Sequence, residues 1–345
     1  MIKPLFMWTG GKTRVIPKFK EEDVLPSYKQ FAGYVEPFFG GGALFCDVVN
    51  SGFNKEFVIN DSNVEMMYIY YWVRENPEAF IEECQRLLNA RNRLAEPERA
   101  AWFVALRKKY WAMPDLCNYL EPVPETLKLA TLKAAATLYV LMLTGFMGFW
   151  QVSQDKKTKG AYGKYGNGRG LLKKYKIDPD LIYEWSTVLK RTNLFCGSYQ
   201  DIEITKENSL IYVDPPYRGS VMKYGLKLTN AHQKKYARWC IEKSLQNHTV
   251  IFSNRELFDK FFSKLFRKNE DVYKNFNHTY VRGTKAAELV VVLEPERLKR
   301  GIVIIDGKEV TFKVQLLTKM LKENPIIKEF GITHQGLLEF NRSKK

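Results

Sequence analysis

Four consecutive residues, Asp214-Pro215-Pro216-Tyr217, carry the strongest chemical signal in this sequence, and we call them the platform. They directly follow an apolar run, 210–213, that predicts a buried strand. The Asp214 carboxylate and the Pro215 carbonyl can both accept hydrogen bonds from one exocyclic NH2 group. The Tyr217 ring can stack on the planar ring that carries this amine. The alternative is an ordinary proline turn after a strand.

A second group of residues is typical of nucleotide binding. Gly40-Gly41-Gly42, the glycine turn, lies between a predicted strand, 34–38, and a predicted helix, 43–49. Glycines there let the backbone adopt positive φ and approach a ligand closely. Asp61 follows Gly42 by 19 positions, directly after a second predicted strand, and an acid at this place commonly holds a ribose diol. A tight structural turn would explain the glycines alone equally well, so Asp61 is what favours a nucleoside ligand.

The elements that must position these residues follow an α/β pattern. Strands are predicted at 34–38, 56–60, 192–196, 210–213, 249–252 and 289–293. Helices are predicted at 43–49, 66–73, 79–94, 98–110, 127–143 and 230–245. We therefore predict one α/β domain, residues 1–63 and 190–298, split by a mostly helical insertion, 64–189. Residues 299–345 are predicted to form a small C-terminal extension that starts with a hairpin at 302–312.

Composition excludes several classes of protein. Hydrophobic residues make up 45% of the 345 residues, enough for a sizeable core, so global disorder is excluded. The longest apolar run, 138–150, is shorter than the roughly 20 residues that a membrane span needs, and the N-terminus lacks a signal-peptide layout. Five cysteines form no CxxC pair and four histidines are scattered, so we predict neither disulfides nor a metal site. These features predict a cytoplasmic protein without a membrane partner.

The net charge of +16 favours a polyanionic partner, most simply nucleic acid, although a basic solubility surface is the alternative. Residues 155–176, the basic loop, concentrate this charge. Positions 156–176 hold eight Lys or Arg, five Gly, three Tyr and no acid, so they cannot build a core. A solvated linker is one interpretation. Tyr162, Tyr165 and Tyr175 among the cations instead favour contact with nucleic acid.

Several separated matches make the chain resemble the Dam-type DNA adenine-N6 methyltransferases of the alpha group over roughly residues 3–295. The N-terminal segment, residues 6–12, is similar to the Lys-Trp-x-Gly-Gly-Lys segment of that family, and residues 36–42 are similar to its Glu-Pro-Phe-x-Gly-x-Gly loop. Residues 60–63 resemble the acid turn that follows, the platform matches the catalytic motif of that family, and residues 252–254 resemble a later Ser-Asn strand end. The sequence departs from the family at Met7, where many members have Lys, and at Ser198, where many have Asp.

The resemblance implies a class I methyltransferase fold, a Rossmann-like mixed sheet with a helical target-recognition insertion, and S-adenosylmethionine as methyl donor. The cofactor-binding residues it implies are Trp8, Lys12, Phe38, Gly40, Gly42, Asp61, Ser198, Tyr199 and Asp214. Among these, Phe38 and the glycine turn would wrap the methionine part, Asp61 would hold the ribose, and Ser198 with Tyr199 would contact the adenine. The catalytic residues would be Asp214, Pro215, Pro216 and Tyr217.

The implied activity is site-specific methylation of adenine N6 in double-stranded DNA. We predict a monomer, which suffices if the site is methylated one strand at a time. Candidate DNA-binding residues are Gln151, Lys156, Lys157, Lys159, Tyr162, Lys164, Tyr165 and Arg169. Gln151 stands near the place of a guanine-reading Arg in GATC-specific members. Because Gln prefers adenine edges, we predict a site other than GATC.

Other functions remain open from the sequence. The platform serves any exocyclic amine, so N4-cytosine or RNA-adenine methylation and a catalytically silent nucleic-acid-binding relative are the alternatives. A NAD-type dehydrogenase would explain the glycine turn and Asp61 but would leave the platform unused. Host defence beside a cognate restriction endonuclease, regulation and phage modification are all compatible with the sequence.

Overall fold

The computed structural model describes residues 1–8, 10–113, 123–145, 151–152, 159–160, 173–217, 229–254, 261, 276–279, 285–299, 302–305 and 308–311. Its strands, in chain order, are β1 (Gly33–Glu36), β2 (Glu56–Asn60), β3 (Gln151–Val152), β4 (Lys159–Gly160), β5 (Thr192–Phe195), β6 (Ser209–Val213), β7 (Thr249–Asn254), β8 (Phe276–Thr279), β9 (Lys285–Leu293), β10 (Ile302–Ile305) and β11 (Lys308–Thr311). Its helices are α1 (Ile16–Glu21), α2 (Ala43–Asn50), α3 (Val64–Glu75), α4 (Pro77–Asn92), α5 (Glu96–Trp111), α6 (Glu125–Thr144), α7 (Pro179–Leu189), α8 (Asn230–Leu245) and α9 (Pro295–Lys299).

One mixed sheet of nine strands organises the described part of the chain. The strand order is β11-β10-β9-β7-β6-β1-β2-β5, and β8 pairs with β9. Five neighbouring strands in this order, β7, β6, β1, β2 and β5, run parallel to one another. Every pair that involves β8, β9, β10 or β11 is antiparallel. Strands β3 and β4 form a separate antiparallel hairpin.

The parallel strands are covered by helices on both faces. All residues of β1, β6 and β7 are buried. Tyr34 and Tyr212 face a large core that includes helices α2 to α7, whereas Val35 and Val213 face a smaller core built with α8. Burial on both faces explains why these strands are continuous apolar runs in the sequence. The predicted fold class, an α/β protein with a Rossmann-like mixed sheet, is confirmed.

The helices of the predicted insertion belong to the large core that covers one face of the sheet. Trp185 of α7 stacks on Phe45 of α2 with ring centroids 5.4 Å apart, and Phe45 contacts Phe57 of β2. By length and composition α6 is the one described helix that is apolar enough to cross a membrane. It packs against α3, α4 and α5, and 11 of its 20 residues are buried, which is the pattern of a core helix. The domain boundaries at 63 and 190 remain our proposal.

The predicted C-terminal hairpin is present as β10 and β11 and continues the sheet. Ile304 and Ile305 of β10 pair with Val292 and Val291 of β9. A strand left at a sheet edge exposes unpaired N–H and C=O groups. The hairpin supplies partners for β9 on that side, so the start of the extension is part of the same sheet.

Candidate active site

The carboxyl ends of four neighbouring strands bring the predicted site residues to one edge of the sheet. The glycine turn follows β1, Asp61 follows β2, Ser198 follows β5 and the platform follows β6. The strand order reverses between β1 and β6. Ligands of open α/β sheets bind at such a reversal, outside the carboxyl ends of the strands. Strand order alone therefore makes this edge the candidate active site.

The glycine turn has the backbone that its sequence predicts. Gly40 and Gly42 have φ of +50° and +63°, a region that side chains disfavour. Tyr70 of α3 donates a hydrogen bond of 2.9 Å to the Gly40 carbonyl. The Trp8 side chain packs on the turn, since a Cβ added to Gly40 would lie 2.6 Å from Trp8 Nε1, and one added to Gly41 would lie 2.8 Å from Trp8 Cβ. The N-terminal segment and the glycine turn are therefore built against each other.

The family resemblance implies that the glycine turn binds S-adenosylmethionine. On that basis, Gly40→Ala is expected to weaken this binding by about 10-fold, because a left-handed alanine adds roughly 1–2 kcal/mol of strain and its Cβ displaces Trp8. Isothermal titration calorimetry measures this affinity. Gly52→Ala is the matched control, since Gly52 also has positive φ, +83°, but an added Cβ there meets nothing within 4 Å. Equal affinities of the two variants would contradict a role of the turn in cofactor binding.

Asp61 links the second strand to the glycine turn. Its Oδ2 accepts a hydrogen bond of 2.9 Å from the Gly40 N–H, and its Oδ1 accepts one of 2.9 Å from the Asn63 N–H. Burial raises the pKa of the Asp61 carboxyl, and these N–H donors oppose the shift. Each carboxylate oxygen has a second lone pair, so a diol can still bind. The acid that the sequence singled out is thus held in a fixed orientation beside the turn.

Asn60 is a buried residue of this edge to which sequence reasoning assigned no individual role. Its Nδ2 donates to the Pro37 carbonyl at 2.9 Å and to the Gly197 carbonyl at 3.2 Å. It therefore ties the loop after β1 to the loop after β5. An asparagine at the end of a strand has no special signal in a sequence, because its partners lie 23 and 137 positions away.

Aromatic rings line the α8 side of the edge. The Phe38 and Tyr199 rings lie 5.2 Å apart at 32°, and both contact Tyr236 of α8. Phe38 and Tyr199 are half-buried and Ser198 is exposed. The Ser198 hydroxyl accepts a hydrogen bond of 3.2 Å from the Gln200 N–H and caps a short 3-10 helix, Tyr199–Asp201. Two predicted cofactor contacts, Phe38 and Tyr199, are thus brought together although they are distant in the chain.

The platform meets the N-terminal segment through Lys12. Lys12 Nζ donates a hydrogen bond of 2.6 Å to Asp214 Oδ2 and lies 4.6 Å from the centroid of the Tyr217 ring. The Lys12 side chain is 5% exposed and the Asp214 side chain 17%, so this ion pair is largely removed from water and its attraction is little screened. Lys12, predicted as a cofactor contact, thus lies at the residues predicted to hold the target amine.

Glu36 is a second buried carboxyl beside this pair, and sequence reasoning assigned it no role. It is 3% exposed and accepts a hydrogen bond of 2.7 Å from the Tyr34 hydroxyl. Burial, reinforced by the Asp214 carboxylate, raises the pKa of Glu36 well above its usual range, and Lys12 opposes the shift. A raised pKa favours protonated Glu36. Asp214 is then the carboxylate that balances the positive charge of Lys12.

The predicted DNA-binding residues lie mostly outside the described residues. Gln151 and Lys159 lie on β3 and β4, where Gln151 pairs with Gly160. The others, Lys156, Lys157, Tyr162, Lys164, Tyr165 and Arg169, are not among the described residues. Their contact with DNA stays a prediction.

Tyr175, at the end of the basic loop, is packed on the protein. Its backbone N–H and carbonyl are bonded to the Asn92 side chain at 3.3 and 2.7 Å. The Arg91 guanidinium lies 4.8 Å from the centroid of its half-buried ring. Residues 173–176 form no helix or strand, and Lys173, Lys174 and Lys176 are exposed, whereas Tyr175 anchors this end of the basic loop on α4.

Among the residues that the structure describes, no group of three or more His, Cys, Asp or Glu side chains is arranged to hold a metal ion. The site as described consists of carboxylates, one buried lysine, aromatic rings and backbone groups.

Residues 8–285 match the family described as D12 class N6 adenine-specific DNA methyltransferase. The chain is 26% identical to the Type II methyltransferase M.MjaIII of Methanocaldococcus jannaschii, over 77% of this chain and 88% of that protein. It is 23% identical to the Retron Ec67 DNA adenine methylase of Escherichia coli, over 82% and 84%. It is 22% identical to the DNA adenine methylase of Haemophilus influenzae, over 84% and 93%. A family match over most of the chain, together with a strand edge that joins the glycine turn, Asp61 and the platform, shows that this protein belongs to the D12 class N6 adenine-specific DNA methyltransferases.

Proposed function

We propose that this protein transfers the methyl group of S-adenosylmethionine to the N6 amino group of adenine in double-stranded DNA. The observation that carries the proposal is the platform at the end of β6, with the Asp214 carboxylate held at 2.6 Å by the buried Lys12. A fixed carboxylate beside a half-buried tyrosine ring suits a planar ring with an exocyclic amine. Membership of an adenine-specific family favours adenine over cytosine as that ring.

The residues at the strand edge fit S-adenosylmethionine. Asp61 retains acceptor capacity for a ribose diol, and the half-buried Phe38 and Tyr199 rings offer an apolar surface for an adenine ring. Added Cβ atoms at Gly10 and Gly197 meet nothing within 4 Å, so there is open space beside the site. When bound, S-adenosylmethionine supplies an electrophilic methyl group on a sulfonium. We infer that Trp8, which packs on the glycine turn, sets the width of this site.

The platform would make the target nitrogen nucleophilic. The lone pair of an aromatic amine is delocalised into its ring, which makes the amine a poor nucleophile. Hydrogen bonds from the amine to Asp214 and to the Pro215 carbonyl localise this lone pair on nitrogen, and Tyr217 holds the ring by stacking. The remaining requirement is alignment of the amine with the methyl group, and fixed orientation lowers such a barrier strongly.

Access to the platform requires the base to leave the duplex. Flipping a base costs a few kcal/mol, and we infer that stacking on Tyr217 offsets part of this. The net charge of +16 and the basic loop supply attraction to the phosphate backbone. We further propose that the enzyme acts in the cytoplasm as a monomer on a site other than GATC. Relatives named Type II methyltransferases favour a cognate restriction endonuclease as partner.

Nucleoside mass spectrometry tests this function. The protein is expressed in a strain that lacks adenine methylation, and the genomic DNA is digested and compared with DNA from the same strain carrying an empty vector. We expect N6-methyldeoxyadenosine to appear only with the protein, and long-read sequencing of the same DNA to give its site. N4-methylcytosine in place of N6-methyldeoxyadenosine would show that the target base is cytosine and not adenine. Absence of both, together with tight S-adenosylmethionine binding in vitro, would refute DNA methylation.

A further inference from the structure

The second proline of the platform, Pro216, is held by a chain of two buried side-chain amides to which the proposed function assigns no role. Gln233, in the first turn of α8, donates a hydrogen bond of 3.0 Å from Nε2 to the Pro216 carbonyl. Asn254, the last residue of β7, donates one of 3.2 Å from Nδ2 to Gln233 Oε1. Gln233 and Asn254 are both 0% exposed. These contacts form one chain of hydrogen bonds from β7 through α8 to the platform.

The Pro216 carbonyl at the end of this chain determines which amide group donates and which accepts in each hydrogen bond. A carbonyl can only accept, so Gln233 must turn its NH2 group toward Pro216. Its carbonyl oxygen then faces Asn254, which must in turn donate. Only one orientation of both amides satisfies every group, and full burial makes any other orientation unfavourable because a polar group would lose its partner.

The Pro216 carbonyl is a point at which a hydrogen bond can restrain the backbone of the platform. Proline has a fixed φ and no N–H, so the backbone between Asp214 and Tyr217 can be held neither through the nitrogen of Pro215 nor through that of Pro216. The rotations that remain there are mainly the ψ angles of the two prolines. A bond to the Pro216 carbonyl restrains the second ψ, which sets the direction of the chain toward the Tyr217 ring. Because φ of Pro216 is fixed, the same bond limits movement of the planar Pro215–Pro216 peptide, which carries the Pro215 carbonyl. Lys12 restrains the other end through the Asp214 side chain.

We propose that Gln233, oriented by Asn254, is a positioning residue for catalysis that aims the Pro215 carbonyl and the Tyr217 ring at the target amine. The proposal rests on the proposed function and assigns a task to the Ser-Asn strand end, residues 252–254. It predicts that loss of the amide chain lowers kcat and leaves the affinities for S-adenosylmethionine and for DNA unchanged.

The test compares Gln233→Glu and Gln233→Met with wild type in single-turnover methylation, normalised to S-adenosylmethionine-binding sites. Both variants keep the approximate size of the side chain. Met removes the donor to Pro216, and Glu retains a donor only while its carboxyl is protonated. We expect kcat to fall about 10- to 100-fold, as for a buried group that loses its partner, with KM for both substrates unchanged. Gln246→Glu is the control, since it makes the same chemical change near the other end of α8, where the side chain is exposed. Wild-type kcat in a folded Gln233→Met would overturn the proposal even if Gln233→Glu fails to fold.

A second measurement does not depend on methylation. Hydrogen–deuterium exchange of the peptide that contains the platform reports only the amides of Asp214 and Tyr217 within it, because prolines carry none. We expect faster exchange in Gln233→Met and in Asn254→Ala, and no additive increase in the double variant, because both act through one chain. Unchanged exchange in both single variants would overturn the proposal. Absent methylation by wild type would instead refute the proposed function, and the exchange result would still judge the amide chain.

Discussion

Asp214→Ala should abolish nearly all methyl transfer, lowering kcat roughly 100- to 1,000-fold, the loss typical when a group that stabilises the transition state is removed. The variant lacks the acceptor that we propose for the target amine, and it also leaves the buried Lys12 ammonium without its 2.6 Å partner. DNA affinity should stay at the wild-type level, because phosphate contacts dominate that affinity. Methylation of a tritium-labelled cofactor and fluorescence anisotropy of a labelled duplex measure the two properties separately.

The control for this experiment removes an acid of the same type elsewhere. Asp180→Ala deletes an exposed carboxylate in the first turn of α7, so it makes the same change in net charge. We expect wild-type kcat for this control. Appreciable residual methylation by Asp214→Ala, within a few-fold of the control, would refute the assigned role of Asp214.

Lys12→Met should have the second largest effect, an activity loss at neutral pH of about 10- to 150-fold, which corresponds to the roughly 1.5–3 kcal/mol of a hydrogen bond to a charged group. Without the ammonium, the Asp214 carboxylate loses the charged partner that lies 2.6 Å away, and partial burial disfavours its ionised form. A protonated Asp214 is a poorer acceptor for the target amine. Because ionisation returns as pH rises, the ratio of variant to wild-type activity should increase with pH.

The pH dependence separates this mechanism from simple loss of cofactor contact. Lys12→Arg retains the positive charge and should show a nearly flat ratio to wild type across pH. Lys190→Met removes an exposed lysine at the end of α7 and should match wild type throughout. A Lys12→Met activity ratio that does not change with pH would show that Lys12 does not act through the ionisation of Asp214.

Local sequence was sufficient for most of the elements that carry the site. Helix α8 runs over the predicted residues, 230–245, because its capping box at Thr229 marks its start. Strand β2 also has its predicted bounds. Helix α7 received no prediction, although Asp178 caps it and Pro179 begins it.

The residues that we propose for the chemistry were recognisable one motif at a time, but their contacts were not. Asp61, the glycine turn and the platform each follow a strand, so a pattern over a few residues identifies them. Lys12 and Asp214 lie 202 positions apart, and their pairing depends on β1 lying beside β6. No local sequence pattern encodes which strands become neighbours in the sheet.

Buried amides and carboxyls were the least predictable part of the site. Asn60, Gln233 and Glu36 are polar residue types that sequence patterns assign to surfaces, and each is buried here with a partner. Their burial follows from which helix covers which strand end, since only a packed neighbour can supply the hydrogen bond that makes burial tolerable. The residue types and their spacing along the chain were therefore enough to predict a site at the strand ends for a planar amine and a nucleoside cofactor. Packing over long sequence distances settled which lysine holds the carboxylate and which amide holds the proline, because those contacts exist only once the strands have taken their order.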